Sequence, residues 1–189
     1  VLEAVEQLRK ARKVGSCPGF IFVHINAMRL SHPGAVFLYL CRKLQRVMMA
    51  VGVGPTTSEG QAHQALDSFF SAAQRPVVVI LLDEVDQLVT PSQSALYRLF
   101  DWVSRPHARL AMVAIANTLD LPERLLPKVT SRLGILRLSF APYDRFQLKA
   151  ILENRLRSAN ADGAFTSEAL ALCSARVAAS SGDARKALQ

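Results

Sequence analysis

The chain has 189 residues, half of them hydrophobic, so it can bury a sizeable core as one domain or as a domain with a small appendage. Lys and Arg exceed Asp and Glu to leave a net charge of +8, a balance that favours a polyanionic partner without identifying one. Cys17, Cys41 and Cys173 are odd in number, scattered and without a CxxC pair, which argues against a disulfide framework and a zinc site. No apolar run spans a bilayer and no signal-like leader is present, so a soluble intracellular protein is expected.

Val1, Leu2, Val5 and Leu8 recur at helical spacing, with Glu3 and Glu6 early and Arg9, Lys10, Arg12 and Lys13 late, as a helix dipole prefers. The Gly15-Ser16-Cys17-Pro18-Gly19 segment breaks that helix, and Phe20-Ile21-Phe22-Val23-His24-Ile25-Asn26 reads as a buried strand with His24 as a core histidine. Ser31-His32-Pro33-Gly34 reads as a helix start. A helix over 33–45 follows, with Val36, Phe37, Leu40 and Leu44 on one face, and Arg42, Lys43 and Arg46 near its end. Residues 52–58 read as a mobile loop and 61–73 as a further helix.

Val77-Val78-Val79-Ile80-Leu81-Leu82 is an unbroken apolar run that stops in Asp83-Glu84-Val85-Asp86. It reads as a strand covered on both faces, with carboxylates on the carboxyl rim where open α/β sheets bind ligands. One carboxylate there suits a hard cation such as Mg²⁺, and its neighbour suits polarising a water. A helix over 92–103 comes next. Leu110-Ala111-Met112-Val113-Ala114-Ile115-Ala116 reads as a third buried strand with Asn117 at its end, residues 121–128 as a short helix, and 135–140 as a less enclosed strand. From Tyr143 onward only helices are expected, over 143–159, 167–179 and from 182. This divides the chain into an α/β core (1–141) and a small helical domain (142–189) hinged near Pro142.

Asp83 and Glu84, Asn117, and Arg132 in the turn before the last strand therefore share one rim. An Asn there can orient a water or a phosphate oxygen, and an Arg can neutralise charge on a transferred phosphoryl group. Ser181-Gly182-Asp183-Ala184-Arg185 places another Arg near a helix start. Each has a plainer account: Asn117 as a turn residue, Arg132 and Arg185 as surface charges, Asp183 as a helix cap.

Taken together, these segments resemble the AAA+ ATPases, and within them the replication initiators. Ile80-Leu81-Leu82-Asp83-Glu84-Val85-Asp86 looks like a Walker B motif, and Ala114-Ile115-Ala116-Asn117-Thr118-Leu119-Asp120-Leu121-Pro122-Glu123-Arg124 like the initiators' sensor 1 segment. Ser131-Arg132-Leu133-Gly134 and Ser181-Gly182-Asp183-Ala184-Arg185-Lys186-Ala187-Leu188, the latter similar to a sensor 2 helix, fit the same pattern, as does Leu99-Phe100-Asp101-Trp102. The resemblance implies a P-loop NTPase-type parallel sheet with helices on both faces and an all-helical lid. It implies that Asp83 holds Mg²⁺, Glu84 polarises the attacking water, and Asn117 and Arg185 contact the γ-phosphate of ATP. It implies that Arg132 is an arginine finger facing a neighbour's nucleotide, and that Arg42, Lys43 and Arg46 lie on an insertion that approaches double-stranded DNA.

The expected whole is a nuclear, ATP-switched DNA-binding subunit of an origin recognition complex, with the other subunits and the replication-licensing loader as partners and no membrane. The alternatives are a non-hydrolysing AAA+ scaffold, the loader itself, or a clamp-loader-type ATPase. The pattern G-x-x-x-x-G-K-[ST] occurs nowhere in the 189 residues, and Gly52-Val53-Gly54-Pro55 has no following Lys. By the resemblance, the P-loop and the strand feeding it precede Val1. The chain then reads as an N-terminally truncated core, inactive alone, with exposed apolar strand edges.

Overall fold

The computed structural model describes residues 1–72, 75–105, 108–118, 120–132 and 136–189. Expectations resting on residues 73, 74, 119 and 133–135 lie outside the described residues. The chain divides into two compact units, Val1–Leu136 and Arg137–Gln189.

In the first unit, helix α1 (Leu2–Lys13) leads to strand β1 (Phe20–Asn26), helices α2 (Ala35–Ala50) and α3 (Glu59–Ser71), and strand β2 (Val77–Asp83). Helix α4 (Ser94–Ser104), strand β3 (Leu110–Ala114) and short helices α5 (Leu121–Arg124) and α6 (Pro127–Thr130) complete it. All described strands are parallel in the order β1-β2-β3, with Asn26 beside Asp83 and Leu82 beside Ala114. The carboxyl ends of the strands, and the polar residues that follow them, therefore meet on one rim.

The central position of β2 explains its composition. Val78, Ile80 and Leu82 are fully buried in a core with Val23 and Ile25 of β1 and the apolar faces of α2, α3 and α4. Residues alternate across a strand, so Val79 and Leu81 take the other face beside Phe22 and His24. There α1 lies close, with the Arg9 guanidinium 6.0 Å from the Phe22 ring. Ser58 caps α3 by accepting from the Gln61 amide, as a serine before a helix does.

Four expectations change. Strand β3 is only partly buried: Leu110 joins the core and Met112 packs against it, but Val113 and, just past the strand, Ile115 are exposed, β3 being an edge of the sheet among the described strands. Exposed apolar edges were expected of the chain. Residues 136–140 form no strand, and Leu136, Leu138 and Phe140 are exposed. Their alternating pattern has no described strand to pair with. His24 is exposed rather than a core residue. It faces the side of the sheet opposite Val23 and Ile25. The helix over 121–128 is two helices, because Pro127 cannot donate within a continuing helix and starts the second one instead.

The second unit contains α7 (Arg145–Ser158), α8 (Ser167–Ser180) and α9 (Ala184–Ala187). Asp144 and Gln147 form a reciprocal capping box at the start of α7. Gly182 has φ +60, and a Cβ there would sit 2.5 Å from that of Pro142. Only glycine fits that turn, whose carbonyl accepts from the Tyr143 amide at 3.0 Å.

Candidate functional site

Strand β2 ends at Asp83, and the chain leaves the sheet at once through Glu84, which adopts left-handed φ 57 and ψ 44. That conformation costs a non-glycine residue about 1–2 kcal/mol, so the surroundings must hold it. They do so with backbone and side chain together. The Ile115 amide donates to Leu82 O at 2.9 Å and the Val85 amide to Ile115 O at 3.0 Å, carrying the ladder past the strand ends. The Glu84 amide donates to Asp83 Oδ1 at 3.1 Å. Asn117 Nδ2 donates to Glu84 Oε2 at 2.5 Å, and the Asn117 amide to Asp86 Oδ1 at 3.4 Å. The rim thus joins Asp83, Glu84 and Asn117 in one cluster.

The other oxygen of Asp83 lies 3.9 Å from His24 Nε2. Magnesium bound with a nucleotide takes one or two carboxylates and draws its remaining ligands from phosphates and waters. Asp83 fits that role as a half-buried rim carboxylate with one oxygen committed to Glu84. Among the described residues no group of three or more His, Cys, Asp or Glu side chains is placed to hold a metal ion.

Arg132 follows α6 and stands in a different setting, an open cleft of about 610 Å³ lined by Arg98, Arg105, Lys128 and Arg132 against Asp67 and Asp101. Its Nε donates to Asp101 Oδ1 at 2.8 Å, and its guanidinium carbon lies 4.5 Å from the centre of the Tyr97 ring. Asp101 Oδ2 accepts from Arg105 Nη2 at 3.1 Å. Arg105 Nη2 also donates to Asp67 Oδ1, which accepts from Trp102 Nε1 at 3.0 Å. Trp102 is buried. The chain of bonds runs from the core to Arg132, which is therefore paired and half-buried rather than a lone surface charge. Arg132, and Arg105 after it, hold the Asp101 carboxyl below the usual range despite burial. Burial pushes the Asp67 carboxyl up, but the hydrogen bonds from Arg105 and Trp102 and the nearby positive charge leave it below the ordinary value.

In the second unit Arg185 is largely exposed, and its guanidinium pairs with Asp183 at 3.1 Å. Asp183 caps α9 by accepting from the Arg185 amide at 2.9 Å, so the cap reading of Asp183 holds locally. Arg42, Lys43 and Arg46 are exposed on α2, opposite the buried Leu40, Cys41 and Leu44. Helix α2 continues beyond the expected end because Val47 and Met48 extend its apolar face.

Sequence reading assigned no role to Asp67, Gln93, Tyr97 or Arg105, and used Asp101 only as part of a resembling segment. Asp101 and Arg105 stand four apart on the sequence, a helical pairing distance, which is the one signal that could have pointed to them. Buried Gln93, at φ 48, donates Nε2 to Arg124 O and accepts from the Leu126 amide, both at 2.8 Å. It pins the segment that leads to α6 and Arg132.

Residues 11–138 match the model of the ATPase family associated with various cellular activities (AAA), and residues 149–189 match the Cdc6 AAA+ ATPase-type lid domain. The whole chain is 40% identical to origin recognition complex subunit 1 of Schizosaccharomyces pombe and 41% identical to that of Drosophila melanogaster, covering 26% and 20% of those proteins. It thus spans about a quarter of the length of these relatives or less. The solved structure of Drosophila ORC bound to DNA contains a chain similar over 97% of this one and 42% of its own length, with TM-score 0.80 and 35% identity. The Aeropyrum pernix ORC1 protein in complex with DNA matches 96% of this chain and 46% of its own, with TM-score 0.68 and 31% identity.

Proposed function

The chain belongs to the AAA family of ATPases and carries a Cdc6-type lid, and from that premise we propose that it is the ATPase core and lid of an origin recognition complex subunit that starts DNA replication in the nucleus. The observation that carries the proposal is the hydrogen bond from Asn117 to Glu84, at 2.5 Å, beside Asp83 on the sheet rim. It gathers a magnesium-type carboxylate, a base and an oriented amide where a triphosphate's end would lie.

The division of labour follows from the environments of these residues. Asp83 offers one carboxylate to Mg²⁺, which when bound neutralises phosphate charge. Glu84 accepts the proton of the attacking water. Asn117 fixes the direction of Glu84 through Nδ2 and has its amide held by Asp86, so it reports the γ-phosphate to the same cluster. Arg132, held in its own cleft, serves a nucleotide bound by a neighbouring subunit, and Arg185 serves the lid side of this chain's own nucleotide. Bound ATP joins subunits around double-stranded DNA, and slow hydrolysis resets the assembly, with the replication-licensing loader as a further partner. Arg42, Lys43 and Arg46 contact DNA phosphates. Such contacts position the protein without reading sequence.

The test uses the full-length protein with its partner subunits and DNA. Glu84→Gln is expected to keep saturable Mg·ATP binding while hydrolysis falls by about 10²-fold or more, the scale of a lost general base. Asp83→Ala is expected to lose binding. Unchanged turnover in Glu84→Gln would mean that Glu84 is not the base, and a folded protein with no ATP binding would leave the non-hydrolysing scaffold as the reading.

A further inference from the structure

We infer that Asp101 is a positioning residue for Arg132, fixing the guanidinium by its Nε so that its two terminal nitrogens stay available to a phosphoryl group on a neighbouring subunit. The inference rests on the reading of Arg132 as a residue that acts on a neighbour's nucleotide.

The choice of nitrogen carries the argument. Asp101 Oδ1 takes only Arg132 Nε, at 2.8 Å, and among the described residues Nη1 and Nη2 make no hydrogen bond. Bidentate pairing with phosphate needs two parallel N–H groups of the guanidinium fork, and the edge between the terminal nitrogens is the one left open. A carboxylate that parked the arginine out of use would occupy that edge. Tyr97 adds a second constraint, because its ring lies 4.5 Å from the guanidinium carbon and limits the tilt of the plane. Arginine otherwise has a long stem with many rotamers, and a point anchor plus a stacking face remove most of them.

The anchor is itself fixed. Asp101 projects from α4, and its second oxygen accepts from Arg105 Nε at 3.3 Å and Nη2 at 3.1 Å. Arg105 is tied in turn to Asp67, and Asp67 to the indole of buried Trp102. The position of Arg132 is thereby referred to the core of the unit rather than to the flexible end of its own side chain.

The experiment measures steady-state ATP hydrolysis by the complete complex containing full-length wild type, Arg132→Ala, Asp101→Asn, Asp101→Glu, or the Arg132→Ala/Asp101→Asn pair. Arg132→Ala is expected to abolish the turnover that depends on it. Asp101→Asn should lower kcat about tenfold, since misplacing a group by roughly 1 Å can cost up to about 10²-fold, while KM for ATP changes less than about twofold. Asp101→Glu keeps the charge but displaces the anchor by one methylene, so its kcat should fall between the two. The pair should match Arg132→Ala alone. Asp101→Asn or Asp101→Glu turning over like wild type, or faster, overturns the positioning role, as does a further loss in the pair. Should Asp101→Asn fail to fold, Asp101→Glu carries the same test. Unchanged turnover in Arg132→Ala is a separate result: it removes the reading of Arg132 itself.

Discussion

Replacing Gln93 by leucine tests whether one buried side chain sets the path between the sheet rim and Arg132. Gln93 is 4% exposed and spans the gap to residues 124–126 with two 2.8 Å bonds, one donated to Arg124 O and one accepted from the Leu126 amide. Leucine keeps the bulk and loses both. Each backbone group left without a partner costs about 1–3 kcal/mol if it stays dry. Arg124 is exposed, so its carbonyl regains water and the lower figure applies there, whereas Leu126 is half-buried. The sum is about 2–4 kcal/mol, of which the apolar gain of leucine returns about 1. A net loss of about 2 kcal/mol is expected. The left-handed backbone at φ 48 persists in Gln93→Leu, so its strain cancels in the comparison. Trp102 is the single tryptophan of the 189 residues and sits in the affected unit, so its fluorescence during urea unfolding reads the change. A midpoint shift equivalent to less than about 0.5 kcal/mol, the scatter of neutral surface changes, would refute the clamp.

Stability of the first unit is expected to fall on acidification below about pH 4, the ordinary carboxylate range. Asp67 and Asp101 are held low in the folded state, so their contribution is complete above the unfolded value and disappears as pH drops through the folded one. Melting scans from pH 6 to 3 should show a shallower decline in Asp67→Asn/Asp101→Asn, and an identical slope would count against the charge chain. Gly182→Ala should destabilise the second unit by about 2 kcal/mol or more, from the left-handed φ together with the clash with Pro142. Hydrogen exchange across 143–188 reads this, and protection equal to wild type would show that the turn yields. Replacing Arg42, Lys43 and Arg46 by alanine should weaken DNA binding uniformly across sequences and reduce the salt slope of log K by up to about 3, near 0.9 per lost contact. An unchanged slope would remove α2 from the DNA-facing surface.

What the sequence made legible was whatever local chemistry dictates. The run from Val77 to Leu82 can only be covered on both faces, and its acidic end had to fall on the rim once the strands proved parallel. Matters decided by neighbours in space were harder to read. Strand β3 is as apolar as β2 yet lies at an edge, and Leu136, Leu138 and Phe140 alternate like a strand without a described partner. The expected single helix over 121–128 overlooked Pro127, which starts α6 and separates it from α5. The left-handed turns at Glu84 and Gln93 carry no composition signal, since neither residue favours that conformation, and both are sustained by distant hydrogen bonds. Asp101 and Arg132 are 31 residues apart, and no periodicity links them.

The two places in the first unit to which the proposed function assigns chemistry are held by different means, and that difference sets how each can fail. Glu84 and Asn117 depend on the parallel ladder extended through Leu82, Ile115 and Val85, which ordinary core packing maintains. The Arg132 guanidinium is oriented by a relay of side chains, passing from Trp102 through Asp67, Arg105 and Asp101. The segment between them, from Asn117 through α5 and α6, is fastened at its middle by Gln93. A defect at Gln93 therefore reaches Arg132 along the backbone, and a defect at Asp101 reaches it through a single nitrogen. Loss of the ladder would disable Glu84 with either arginine contact intact. On the proposed roles of Glu84 and Arg132, hydrolysis at this chain's own nucleotide and assistance to a neighbour's should accordingly be separable by mutation, with Asp101→Asn sparing the first and Glu84→Gln the second.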